Sequence, residues 1–200
     1  MKWDYEFDVI VIGSGNGALT SALCSHDGGA KTLVIEKSTQ FGGTSATSGG
    51  GVWIPNNRYA KAENVDDSNQ DARDYINSVS PEGKIKDELV ETYLSEGPKM
   101  IDYLHENSQV KYRNLAHYPD YFPDNPGGKA GNRSMEPEPI KGTELGDDLR
   151  KLREQHPQTA FTMGPINMNF TQVEGQLLLG ALPGWKSLFA KLFTKYILDI

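Results

Sequence analysis

The 200-residue chain has a single cysteine, Cys24, which excludes an internal disulfide framework and a CxxC-type metal site. Its four histidines, His26, His105, His117 and His156, are scattered without ligand spacing, so no metal is expected. Excess positive charge is also lacking. The 20 Lys and Arg against 27 Asp and Glu leave a formal charge of −7. Nucleic-acid binders carry a basic face to offset phosphate charge, and no Lys/Arg cluster of that kind occurs here, so no nucleic-acid partner is expected. No apolar run approaches the ~20 residues of a membrane span. The first six residues are acidic where a signal peptide would be basic and then apolar, which predicts a reduced, cytoplasmic protein.

Glycine is what the chain has in excess. There are 21, and ten of them lie in the first 51 residues, so the enrichment is local and demands a local reason. Residues 8–12, Asp-Val-Ile-Val-Ile, read as a strand buried on both faces. They run into Gly13-Ser14-Gly15-Asn16-Gly17-Ala18. A helix is predicted over 16–26, with Ala18, Leu19, Ala22 and Leu23 at helical spacing and Gly28-Gly29 as its stop. Residues 32–35 read as a second buried strand, and Glu36 follows it directly.

Strand, glycine turn, helix, strand and acid together make the dinucleotide fingerprint in its required context. Gly13 permits the tight turn, and Gly15 lets backbone approach a pyrophosphate. Ala18 takes the third small position, where helix packs on strand. The helix N-terminus offers N–H groups and a partial positive charge to phosphates. Glu36 lies 21 residues after Gly15, near the ~20 expected of the acid that binds a ribose hydroxyl, and its charge disfavours a 2′-phosphate. A plain glycine turn would not need the spaced acid.

Beyond Lys37 come two more glycine clusters, Phe41-Gly42-Gly43-Thr44-Ser45 and Ser48-Gly49-Gly50-Gly51, closed by Trp53 and Ile54. An NAD domain would proceed to another helix and strand. Here the two clusters describe a backbone that hugs a large flat ligand; the alternative is a flexible surface loop, against which Trp53 and Ile54 at its exit argue for a packed segment. Thr44, Ser45 and Ser48 supply hydroxyls, and consecutive N–H groups can form an anion nest. The candidate cofactor-binding residues are therefore Gly13, Ser14, Gly15, Asn16, Gly17, Ala18, Glu36, Lys37, Gly43, Thr44, Ser45, Ser48, Gly49, Gly50 and Gly51.

Residues 8–57 resemble the FAD-binding N-terminus of the fumarate reductase/succinate dehydrogenase flavoprotein superfamily. Within them, 42–55 is similar to the 3-ketosteroid Δ1-dehydrogenase branch. The resemblance implies FAD. Succinate dehydrogenases attach their flavin through a histidine of this loop, and no histidine lies between His26 and His105, so FAD is expected without a covalent bond.

Residues 57–66 read as a polar linker. Helices are predicted over 67–79, over 84–96, and again from Gly97-Pro98, with Asp66, Asp67 or Ser68 as the first cap. Tyr75, Tyr93 and Tyr103 sit at core spacing. From 111 to 146 the chain becomes rich in proline, glycine and tyrosine. It reads as an ordered, function-bearing loop stapled by Arg133 and Glu136. Residues 117–128 and 131–137 resemble segments of the ketosteroid dehydrogenases. That resemblance maps the tyrosine lying over the oxidised steroid ring onto Tyr121, the one catalytic candidate. Phe122 departs from the family's second tyrosine, and Tyr118 is the second choice. Packing of the loop is the alternative role for all three.

Residues 144–154 read as a short charged helix. The methionine-rich 161–169, with Met163 and Met168, reads as an apolar lining. Residues 185–200 form an amphipathic helix, with Lys186, Lys191 and Lys195 off its apolar stripe. It either covers the substrate domain or makes a peripheral membrane contact.

The expected fold is α/β: an incomplete Rossmann-type FAD-binding domain, 1–145, and the helical, loop-rich start of a substrate domain, 146–200. The chain reads as the front part of the family's length, a fragment or a prematurely ended gene that is inactive alone. For the whole enzyme the resemblance implies 1,2-dehydrogenation of a 3-ketosteroid, with loss of a C2 proton and transfer of a C1 hydride to flavin N5, followed by an electron acceptor. The rivals are a fumarate-reductase-like enzyme gripping a dicarboxylate with Arg113 and Arg133, an NAD-dependent dehydrogenase, and a non-catalytic FAD-binding fragment.

Overall fold

A computed structural model describes residues 3–154, 162–163, 166–167 and 171–198. The chain divides into two compact units. One comprises 1–50 and 140–169, the other 51–139 and 170–200.

In the first unit β1 (Val9–Ile12) pairs in parallel with β2 (Thr32–Ile35), Val9 opposite Thr32 and Ile12 opposite Ile35. Helix α1 (Asn16–Asp27) makes the crossover and ends at Gly28, whose N–H donates to Cys24 O. This is the predicted strand–turn–helix–strand. The strands are not buried on both faces, however. Val11 is buried, but Ile10 is 56% and Ile12 85% exposed. Two strands and one crossover helix cannot cover both faces of a parallel sheet, and no third strand joins this pair among the described residues.

The charged helix expected over 144–154 is a 3₁₀ segment, Gly142–Lys151, broken at Gly146 (φ 53°, ψ −130°). A residue in that conformation cannot continue a right-handed helix. Beyond it, Phe41 N donates to Lys151 O (2.8 Å) and Arg153 N to Phe41 O (2.9 Å), which seats Leu152 beside Phe41.

In the second unit β3 (Val52–Trp53) opens a segment that is not a bare linker. Asn57 is fully buried and caps α2 (Arg58–Ala62) by accepting from Tyr59 N and Ala60 N. Its Nδ2 donates to Ile54 O and Asn132 O. Ser68 caps α3 (Asn69–Val79) by accepting from Asp71 N.

The two helices expected on either side of Pro98 are one, α4 (Asp87–Asn107), with the proline inside. Val90, Leu94, Gly97, Ile101 and Leu104 form one continuous buried stripe. A Cβ at Gly97 would press Ile54 at 3.3 Å. Burial of that stripe outweighs the hydrogen bond that Pro98 cannot make. Ala72, Val90 and Leu94, with Ile76, make the α3–α4 core.

The segment 111–146 is not loop throughout. It contributes β4 (Tyr112–Asn114) and β5 (Ser134–Pro137), and the antiparallel sheet has the order β3-β5-β4. The pairing was hidden because the strands are short and far apart in sequence.

Two further strands, β6 (Thr162–Met163) and β7 (Ile166–Asn167), pair antiparallel in the first unit. Met168 lies outside the described residues, so the apolar lining expected of 161–169 does too. Helix α5 (Gln172–Leu179) starts in the second unit with a capping box of Thr171 and Glu174. Helix α6 (Trp185–Leu198) follows, and Phe189 and Phe193 stack on its surface, 42% and 47% exposed. No helix among the described residues is long and apolar enough to cross a membrane.

Candidate cofactor and substrate sites

The first unit holds a cleft of about 1010 Å³ lined by the glycine turn, the end of β2, Gly43 to Ser45 and Arg153. Gly13 leaves β1 with φ +96°, and its N–H donates to Ile35 O (2.7 Å). A Cβ there would be strained but would meet no protein atom within 4 Å. The turn therefore leaves open space in front of its backbone. Gly15, which has no side chain to cap with, precedes α1. Ser45 Oγ accepts from Asn16 N (3.0 Å), so the second glycine cluster is fastened to the start of the helix. A Cβ at Gly43 would lie 3.5 Å from the Gly15 backbone.

Ser14 is a bracket within the site. Its buried hydroxyl donates to Glu36 Oε2 (2.5 Å) and accepts from Gly42 N (2.9 Å). Glu36 Oε1 accepts from Ser38 N (3.0 Å). The Ser14 hydroxyl, then the Ser38 amide, hold the Glu36 carboxyl below its ordinary pKa. The acid at the end of β2 is thus anionic and fixed.

Of the candidate cofactor residues, Gly13 to Ala18, Glu36, Lys37, Gly43, Thr44 and Ser45 line this cleft together. Ser48, Gly49, Gly50 and Gly51 are not among its lining residues. Ser48 Oγ donates to Ser45 O and accepts from Gly50 N, closing a turn. Gly51 packs near Met135 O in the second unit. Arg153, brought in by the Phe41–Leu152 pairing, lines the cleft and carried no sequence signal.

The second unit has its own cavity, of about 310 Å³, walled by Trp53, Tyr75, Ile76, Val79, residues 118–122 and Ser134. Tyr121 is 83% exposed, Phe122 is exposed and Tyr118 is half-buried. The neighbouring Tyr121 phenol, then burial, pushes the Tyr118 hydroxyl above the ordinary tyrosine value. Tyr75 OH accepts from Phe122 N (3.3 Å). The cavity's aromatic lining suits an apolar ligand with few polar groups.

Arg133 and Glu136 do staple the segment, each through a different partner. Arg133 pairs with Asp67 (2.7 Å) and Asp120 (2.9 Å), and all three side chains are buried. Glu136 pairs with Arg113 (2.9 Å). The two arginines considered for a dicarboxylate are thus engaged by carboxylates of the chain itself.

A parallel strand pair joined through a positive-φ glycine turn and a helix, with a fixed acid at the second strand's end, defines a Rossmann-type nucleotide-binding unit. The chain belongs to the FAD binding domain family, whose model matches residues 8–182, and its cofactor is FAD. It is 36% identical to a 3-oxosteroid 1-dehydrogenase of Mycolicibacterium smegmatis over 168 residues, 84% of this chain and 29% of that protein. It is 36% identical to a 4-oxocyclohexanecarboxylate 2-dehydrogenase of Sinomonas cyclohexanicum, over 78% of this chain and 27% of that one. The crystal structure of a 3-ketosteroid Δ1-dehydrogenase from Sterolibacterium denitrificans, in complex with 1,4-androstadiene-3,17-dione, superposes with a TM-score of 0.87 at 38% identity. That match covers 97% of this chain and 34% of the other. The chain thus spans about a third of the length of these relatives.

Proposed function

We propose that this chain is the cofactor-binding portion, with part of the substrate site, of an enzyme that introduces a C1–C2 double bond into a 3-ketosteroid. The observation that carries the reading is the aromatic cavity, with an exposed tyrosine in its wall and no cation among its lining residues. Both steroid and oxo-acid dehydrogenases occur among the relatives. An anionic substrate calls for an available cation. Arg133 is held between two aspartates, Arg113 is paired with Glu136, and Lys129 with Asp71, which favours a neutral ketone.

In this reading Gly13, Gly15, Asn16, Gly17 and Ala18 offer backbone to the pyrophosphate. Glu36 accepts from a ribose hydroxyl, with Lys37 beside it. Gly43, Thr44 and Ser45 follow the dinucleotide, and Ser48 to Gly51 shape the loop leaving that site. Ser14 fixes the acid rather than the ligand. FAD, held without a covalent bond, supplies a two-electron acceptor for the hydride from C1. Tyr121 places its hydroxyl where it can assist or orient the base that removes the C2 proton, and Tyr118 stands beside it. Residues 1–145 carry cofactor and loop functions, and 146–200 begin the substrate region, with α6 as its cover. The protein works in the cytoplasm, with an electron acceptor as its second partner.

The test is a chimera with this chain in place of the matching N-terminal portion of the M. smegmatis relative. It should bind FAD that acid releases, and it should dehydrogenate a 3-ketosteroid. Tyr121→Phe should lower kcat by up to about a hundredfold with little change in KM, whereas the 200-residue chain alone should give no turnover. A flavin-loaded chimera that oxidises 4-oxocyclohexanecarboxylate but no ketosteroid would overturn the reading.

A further inference from the structure

Arg133 touches more of the aromatic cavity's framework than any role in fastening one loop requires. Its Nε and NH2 donate to Asp67, the residue before the Ser68 cap of α3. Helix α3 brings Tyr75, Ile76 and Val79 to the cavity. Its NH1 donates to Asp120 (2.9 Å), which sits between Tyr118 and Tyr121 in the chain. The guanidinium lies over the rings of Trp53 (5.5 Å) and Tyr75 (5.8 Å). Ser134, the next residue, is itself part of the cavity wall.

Asp120 is equally committed. Its Oδ1 accepts from Trp53 Nε1 (2.6 Å), and its Oδ2 accepts from Lys129 N (3.0 Å) as well as from Arg133. Its own N–H donates to Lys129 O (3.0 Å), which closes the loop that carries Tyr121, with Tyr118 two residues before its start.

Three segments distant in sequence, β3, the start of α3 and the 118–122 loop, therefore meet on one buried guanidinium. A buried charge triad is costly unless every lone pair and proton is used, and breaking it leaves an uncompensated charge. Apolar residues would fill the same volume with less penalty. What they cannot supply is direction: a planar fork with fixed angles to two carboxylates and faces that stack on two rings.

We propose that Arg133, acting through Asp120, is the positioning residue of this cavity, setting where Tyr118 and Tyr121 present their hydroxyls. This rests on the cavity being the ketosteroid site, but the placement of the two tyrosines can be read without steroid. The phenols now lie close enough for Tyr121 to raise Tyr118. The charged groups of the network that holds their loop are Asp67, Arg133 and Asp120, with Lys129 paired to Asp71.

The decisive experiment uses the 200-residue chain labelled with ¹³Cζ-tyrosine. NMR titration of Tyr118 and Tyr121 is followed in wild type, Asp120→Asn and Arg133→Lys. Asp120→Asn keeps the shape and an acceptor for Trp53 while removing the charge that Arg133 holds. Wild type should show Tyr118 titrating above the ordinary tyrosine value, and in Asp120→Asn it should fall back towards that value while far-UV circular dichroism is unchanged. Arg133→Lys keeps the charge but not the fork, and should behave as Asp120→Asn does. Affinity for 1,4-androstadiene-3,17-dione, read by Trp fluorescence, should drop about ten- to a hundredfold in both.

Unchanged tyrosine titration in a folded Asp120→Asn protein overturns the proposal. If both variants unfold, Asp67→Asn decides. It loosens α3 but spares the Asp120 pair, so wild-type titration of Tyr118 is expected and a lost shift refutes the assignment to Asp120. Absence of steroid binding by the wild type, with the titrations as expected, would count against the substrate reading alone.

Discussion

Gly83 and Gly127 have nearly the same backbone conformation, φ +67° and +72°, in opposite surroundings. A Cβ on Gly83 would meet nothing within 4 Å. A Cβ on Gly127 would collide with the Asp71 carbonyl and come within 2.9 Å of Tyr75 N. Those are backbone atoms of α3, which cannot rotate out of the way. Gly127 is thus where the tyrosine-bearing loop closes onto the helix that forms the far wall of the same cavity. Gly83→Ala should cost only the left-handed strain, about 1–2 kcal/mol. Gly127→Ala adds an overpacking cost of about 1–3 kcal/mol. The unfolded-state gain of about 0.4–1 kcal/mol from losing a glycine applies to both and cancels in the comparison. With a urea m-value of about 2–3 kcal/mol/M, Gly127→Ala should unfold at a midpoint about 0.3–1.5 M lower than Gly83→Ala. It should also weaken androstadienedione binding, which Gly83→Ala should leave alone. Equal urea midpoints for the two variants would refute the close approach of loop and helix, and with it the wall of the cavity.

The other predictions concern the cofactor cleft and the long helix. Because hydrogen bonds to Ser14 and Ser38 lower the folded pKa of Glu36, the carboxylate's contribution is present above the ordinary glutamate value of about 4.3 and is lost only as pH falls through the lower folded value. FAD affinity, followed by flavin fluorescence, should therefore stay level from neutral pH to about pH 5, and Ser14→Ala should move its acid limb to higher pH; an unmoved limb would remove Ser14 as the cause. Glu36→Gln should weaken FAD about tenfold or more at neutral pH, and an unchanged dissociation constant would take Glu36 out of the site. Pro98→Ala should stabilise the chain by about 1–3 kcal/mol, seen as a higher Tm, because the helix is continuous there. A neutral result would instead place Pro98 at a helix start.

The strand, glycine turn, helix and strand of the first unit were legible in the sequence because their determinants are local. Gly13, Gly15, Ala18 and Glu36 are tied by short-range geometry of strand, turn and helix, so spacing alone specifies where they lie. Loop tyrosines such as Tyr121 could be singled out by resemblance, and Arg133 by its place in a dense aromatic segment. Tertiary structure decided what needs partners far along the chain. The sequence pattern divided α4 at Pro98, and only the buried stripe against Ile54 and α3 shows why the helix continues. Glycine and proline content made 111–146 look irregular, yet β4 and β5 form there because β3 supplies a neighbouring strand from the other end of the unit. Arg153 enters the cofactor cleft through a pairing with Phe41 that no periodicity encodes. Arg133 could have gripped a substrate carboxylate on sequence grounds. Its engagement by Asp67 and Asp120 follows from their meeting in space, where burial makes an unpaired guanidinium untenable and an exposed one unnecessary.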